Sequence, residues 1–248
     1  MAKSLTTVTG IHAVEAVLKN AADSVEAIYF RQGRLNHRLE SIHSLAKSRH
    51  IHIELVDEKV LDQLAESSRH QGVVAQYRAS KQYNENDLFT LLEGLDKPAF
   101  LLILDGVTDP HNLGACLRTA DAVGVDAVIT PRDQAVGLTP VVRKTASGAA
   151  ETIPFVQVTN LGRTIDKLKQ LGIWITGTSD RASQSLYQQD FTGSVAIVMG
   201  AEGKGLRRMI MERCDFLVSI PMQGQVESLN ISVATGVTLY EALRQRTD

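Results

Sequence analysis

Residues 100–130, FLLILDGVTDPHNLGACLRTADAVGVDAVIT, decide the fold. They open on a short apolar run, 100–107, with the make-up of a strand buried on both faces. A loop of Asp, Pro, His and Asn follows. A helix then runs from 113 to about 123, where Gly124 stops it. A second apolar run, 126–130, completes a strand–helix–strand unit.

The alternation continues downstream. The spacing predicts helix 139–146, strand 153–158, helix 161–171, strands 173–177 and 194–200, helix 206–213, strand 216–220 and a last helix 231–246. Strands alternating with helices of this length give a parallel α/β sheet covered on both faces. Ligands of such sheets bind beyond the carboxyl ends of the strands, so the loops after Leu104, Met199 and Ile220 carry the chemical interest. Upstream, residues 1–78 form a smaller α/β unit. Helices are expected at 11–19, 36–49 and from Asp57 through Leu64, with strands at 26–30, 50–55 and 72–77. The polar run 79–87 and a short helix 88–95 make residues 79–97 a linker, and the second domain spans 98–248.

Composition narrows the function. Of 248 residues 44% are hydrophobic and 22% charged, the balance of a globular protein. The net charge is −2, so binding of nucleic acid through bulk charge is excluded and a local basic patch is required. No apolar run approaches the roughly 18 residues of a membrane span, and the N-terminus has no apolar signal core; a soluble cytoplasmic protein is expected. Cys116 and Cys214 are two lone thiols without a CxxC pattern and read as packing residues. His50 and His52 have no supporting carboxylate or cysteine cluster, so no metal is expected.

Three loops stand out. In the first, residues 105–118, Asn112 lies where a helix cap is expected and Arg118 follows in the second turn. In the second, VMGAEGKGL (198–206), three glycines let the backbone turn tightly and approach a ligand, and Glu202 is the single acid. The glycines run GxxGxG, neither the dinucleotide fingerprint nor a phosphate loop. In the third, residues 219–243, a strand turns through Pro221 and Gly224 into a helix behind Asn230, with Ser228 just before it. Taken singly, Asn112 and Asn230 read equally well as caps, and the glycine loop as an ordinary connection.

Together, NLGACLR, MGAEGKGL and IPMQGQVESLNISVATGVTLYEAL resemble the three successive motifs of the SpoU/TrmH ribose methyltransferases, in the right order and at the ends of the right strands. The N-terminal unit, with GIHAVEAVL and RHQGVVAQ, resembles the L30e-like substrate-binding domain of many members. The likeness covers nearly the whole chain. It is strongest toward the bacterial enzymes that act on the peptidyl-transferase loop of 23S rRNA.

The resemblance implies a C-terminal α/β trefoil-knot domain and homodimers with active sites at the subunit interface. It implies S-adenosylmethionine held by the backbone around Gly200, Ile220 and Leu229. Asn112, Arg118, Glu202 and Asn230 match the family's polar active-site positions, and Ser228 lies beside them. The counterpart of Arg118 is assigned to activation of the ribose 2′-OH. A guanidinium with a pKa above about 12 resists deprotonation. Arg118 is therefore expected to bind RNA phosphate through two donors and orient the 2′-OH, with the phosphate or Glu202 assisting. The implied activity is 2′-O-methylation of a guanosine ribose in 23S rRNA.

The RNA reader is expected in the N-terminal unit. Residues 31–50 hold Arg31, Arg34, Arg38, Lys47 and Arg49 against Glu40, five positive charges and one negative. Arg31, Arg34 and Arg38 are the expected RNA contacts. Two alternatives remain open: methylation of tRNA ribose, and a non-catalytic RNA-binding assembly factor. A nicotinamide enzyme fits poorly, because no GxGxxG follows the strand 100–107.

Overall fold

The computed structural model describes residues 5–78, 83–203 and 205–247, which fold into two compact units. The head of the expected linker, residues 79–82, lies outside the described residues.

The first unit contains β1 (Leu5–Thr9), α1 (Ile11–Asn20), β2 (Val25–Arg31), α2 (His37–Ser48), β3 (His52–Val56), α3 (Glu58–Ala65) and β4 (Val73–Arg78). Its sheet runs β1-β4-β2-β3, with β2 and β3 parallel and the other pairs antiparallel. Three strands were expected and four are present; β1, LTTVT, takes its strand form from pairing with β4. Asn36 and Asp57 cap α2 and α3 through their side-chain oxygens. The core gathers Val14, Val17 and Leu18 of α1, Ile28 and Phe30 of β2 and Tyr77 of β4.

Residues 138–152 belong to this unit too, as α6 (Pro140–Ala146) and α7 (Ala149–Thr152). Gly148 lets their turn press on α1: a Cβ there would come within 2.1 Å of the Ala16 Cβ. The seam carries a buried polar cluster. Arg143 pairs with Glu151, and the Tyr77 hydroxyl donates to Glu151 and accepts from Arg143. Such burial of charge requires full pairing.

The second unit holds α4 (Glu85–Glu93), β5 (Phe100–Asp105), α5 (Pro110–Ala122), β6 (Ala127–Pro131), β7 (Phe155–Val158), α8 (Leu161–Gln170), β8 (Trp174–Thr178), β9 (Gln184–Ser185), β10 (Val195–Gly200), α9 (Arg208–Met211), β11 (Phe216–Ser219) and α10 (Ile231–Thr247). Its strands pair in parallel in the order β7-β6-β5-β10-β8-β11-β9. Every residue of β5 and β6 is buried, as strands covered on both faces demand. The parallel α/β sheet expected from the alternation is therefore present.

Two local expectations are corrected. Helix α5 begins at Pro110, three residues before the expected start. Asp109, not Asn112, caps it by accepting from the Asn112 backbone N–H at 2.8 Å, and proline suits the first helical position because its missing donor is not needed there. The helix after the glycine loop is only four residues long, Arg208–Met211, where 206–213 was expected.

Candidate active site

Because all strands of the second unit run parallel, the ends of β5, β10 and β11 open on one edge of the sheet. Asp105 and Gly200 are direct register partners there. The three watched loops leave from this edge.

The glycine loop folds onto itself. Ala201 and Gly205 exchange two main-chain hydrogen bonds, of 3.1 and 2.8 Å. Gly200 lies so close to this hairpin that a Cβ would stand 2.1 Å from the Gly205 carbonyl carbon. The missing side chain at Gly200 thus makes room for the loop's own backbone. Gly203 and Gly205 hold positive φ, +74° and +64°, where glycine costs least.

This hairpin presents Glu202, an exposed residue, toward α5. Asn112, in the first turn of α5, donates its Nδ2 to Glu202 Oε2 at 3.2 Å. Asn230 donates its Nδ2 to Asn112 Oδ1 at 3.0 Å. The Asn230 Oδ1 in turn accepts from the backbone N–H of Ser232 at 2.9 Å and from its hydroxyl at 2.6 Å. Asn230 is thus both a helix cap and a member of the polar row. The row has one direction of donation, Ser232 to Asn230 to Asn112 to Glu202, which fixes how both amides face.

The other expected residues make no hydrogen bond to this row among the described residues. Arg118 lies on α5, six residues beyond Asn112 and so turned about 120° away around the helix at about 100° per residue. Its side chain is exposed and has no partner among the described residues. Ser228 is exposed, while Ile220 and Leu229 are half-buried. In the first unit Arg31 lies 3.5 Å from Glu58, whereas Arg34 and Arg38 are exposed and unpaired among the described residues.

Three participants escaped the sequence reading. Ser232 completes the polar row. Asp105 and Arg207 form an ion pair at the sheet edge, with Arg207 Nε donating to Asp105 Oδ1 at 2.7 Å and the Arg207 backbone N–H to Oδ2 at 3.0 Å. The available signal was an aspartate closing an otherwise apolar strand. Among the described residues no cluster of three or more His, Cys, Asp or Glu could hold a metal.

The residue pattern of the SpoU rRNA Methylase family matches residues 99–240, which holds every member of the polar row. The chain belongs to the SpoU rRNA methylase family. The pattern described as RNA 2′-O ribose methyltransferase substrate binding matches residues 7–83. This SpoU methylase is 57% identical to the 23S rRNA (guanosine-2′-O-)-methyltransferase RlmB of Shewanella oneidensis, over 96% of each chain. A crystal structure of an RNA 2′-O ribose methyltransferase is similar to it at TM-score 0.82 and 29% identity, covering 100% of this chain and 91% of that one. The SpoU methyltransferase AviRb of Streptomyces viridochromogenes, solved with the cofactor AdoMet, shares the fold at TM-score 0.80 and 24% identity over 98% and 91% of the two chains.

Proposed function

We propose that this SpoU methylase transfers a methyl group from S-adenosylmethionine to the ribose 2′-OH of a guanosine in the peptidyl-transferase loop of 23S rRNA. The observation that carries the reading is the Glu202–Asn112–Asn230 row, assembled from all three motifs at one edge of a methylase-family sheet.

The residues suit a nucleoside cofactor. Gly200, Ile220 and Leu229 bring no charge, and the last two are half-buried. Among the described residues the main chain from Ile220 to Leu229 makes no hydrogen bond to other main chain, leaving amides and carbonyls for a purine edge. When bound, S-adenosylmethionine supplies the activated methyl group on its sulfonium. The protein's share is orientation and removal of the hydroxyl proton. Glu202 is the acceptor at the row's end, and the amide of Asn112 holds it. Arg118, exposed and unpaired among the described residues, suits a bidentate grip on an RNA phosphate next to the reacting ribose. Ser228, exposed and two residues before Asn230, is the proposed auxiliary polar group.

Arg34 and Arg38, together with Arg31, are the proposed RNA contacts of residues 1–78, and residues 98–248 the proposed catalytic domain. The threading of the C-terminal segment into a trefoil knot is part of this reading, carried over from the family that the chain belongs to. So is a homodimer. Helix α10 leaves Val233 and Tyr240 exposed, and Gly236 between them has open space within 4 Å. An apolar stripe with a glycine that no packing among the described residues explains suits a second copy of the helix. No helix among the described residues is long and apolar enough to cross a membrane. A cytoplasmic location is part of the same proposal, because the proposed substrate is ribosomal RNA.

The test is transfer from labelled S-adenosylmethionine to unmodified 23S rRNA, with tRNA alongside, mapped by resistance to alkaline cleavage. One resistant site in the peptidyl-transferase loop, lost in Arg118→Ala, is the expected result. Label in tRNA alone overturns the substrate, and label in neither overturns the activity on free RNA.

A further inference from the structure

The Asp105–Arg207 pair lies outside the row, at the exit of the loop that carries Glu202. Asp105 ends β5 with a side chain 0% exposed, and Arg207 is 47% exposed. The Arg207 guanidinium meets Oδ1 through both Nε and Nη2, at 2.7 and 2.6 Å, while its backbone N–H meets Oδ2 at 3.0 Å. A carboxylate this buried needs a charge partner, and no other side chain among the described residues supplies one. The double engagement of main chain and side chain fixes where residue 207 sits, and residue 207 is the exit of the glycine loop.

The entrance of the loop is fixed by other means. Gly200 is the register partner of Asp105 and packs against the backbone of Gly205 and Leu206. Entrance and exit are thus both referred to one residue, Asp105. The loop between them has a single polar side chain engaged outside itself among the described residues, Glu202 on Asn112. Asn112 belongs to the helix that follows Asp105 in the chain. The position of Glu202 relative to α5 therefore depends on how the loop exit is held to the end of β5.

We propose that Asp105 and Arg207 are positioning residues for methyl transfer, acting through Glu202. The inference rests on the proposed function. The buried pair anchors the glycine hairpin so that Glu202 meets Asn112 at hydrogen-bond distance; neither residue of the pair touches the row itself. Catalytic groups need placement within about half an ångström, which a hairpin with one free end does not give.

A double-mutant cycle tests this, with kcat and KM measured for transfer to unmodified 23S rRNA. Arg207→Lys keeps the charge and removes the planar fork. It is expected to lower kcat about tenfold or more while KM for RNA stays within about twofold. In a Glu202→Gln background the same change should lower kcat by less than about twofold, because the group it positions is already lost. Asp105→Asn with Arg207→Gln, a neutral pair of similar shape, carries the same cycle if Arg207→Lys does not fold, with the same result expected. Equal effects of the Arg207 change with and without Glu202 overturn the proposal, as does a loss confined to KM. A wild-type enzyme inactive on 23S rRNA overturns the proposed function and this inference with it; an active wild type with an additive cycle overturns this inference alone.

Discussion

Asn230 donates to Asn112 across 3.0 Å, although 118 residues separate them in the chain. Each begins or lies in the first turn of a helix, α10 and α5, and these two helices pack against each other with Cys116 donating to Thr235 in their buried seam. The row of amides is therefore set by the packing of two helices, and Glu202 is added by the glycine loop.

Arg118 tests the chemistry of the hydroxyl. A lysine keeps the charge but lacks the planar pair of donors. Arg118→Lys is expected to lose at least about tenfold in kcat/KM, with the pH dependence of the rate unchanged in shape. Near-normal activity would sink the bidentate phosphate contact, and a pH profile shifted toward that of an amine would restore a proton-transfer role.

Arg34 and Arg38 test the RNA reader. Both are exposed and unpaired among the described residues. Arg34→Ala and Arg38→Ala together should weaken RNA binding and reduce its dependence on log salt by about one to two. The affinity for S-adenosylmethionine should not change, as calorimetry would show. Equal RNA affinity at both low and moderate salt would place the RNA surface elsewhere.

Glu151 tests the seam of the first unit. It is 3% exposed and pairs with Arg143, itself 8% exposed. Glu151→Gln leaves a buried guanidinium without its counter-charge and should cost about 3–5 kcal/mol. Denaturant midpoints would measure the loss, and a change below about 1 kcal/mol would mean that water reaches the pair.

Alkaline pH tests the buried Cys116, the half-buried Cys214 and the buried Tyr77. Burial pushes Cys116 up to about 11. Burial, then neighbouring Asp215, pushes Cys214 up to about 12. Burial and then Glu151 raise the Tyr77 hydroxyl as well. The fold thus holds these protons above the pH where the unfolded chain releases them, about 8.5 for Cys and 10 for Tyr. Their contribution is whole below about pH 8.5 and drains away as pH rises toward the folded values. The melting temperature should be level from pH 7 to 8 and fall steadily from 9 to 11; a level curve through pH 11 would contradict it.

Helix α10 tests the assembly. Tyr240 and Val233 are 54% and 51% exposed. Tyr240→Glu places a charge on the stripe without touching the core, so it should give a folded monomer by sedimentation. A mutant that sediments as the wild type does would move the interface off this helix.

The family resemblance singled out Asn112, Glu202 and Asn230; the sequence by itself determined the parallel sheet and the three loops at its carboxyl edge. Local signals carried these: unbroken apolar runs, glycines after strands, caps before helices. β1 was not legible, since LTTVT is a strand only once β4 offers its edge. The start of α5 is ambiguous in the sequence because Asp109 and Asn112 are both good capping residues; Pro110 between them is the signal that favours Asp109. Tertiary structure alone decided that residues 138–152 join the first unit, that Gly200 makes room for its own loop, and that Asp105 binds Arg207. The two residues of that last pair are 102 positions apart in the chain. The physical reason is range. Propensity and periodicity act over a few residues, whereas which buried charge finds which partner is settled only when distant strands and loops are brought to the same edge.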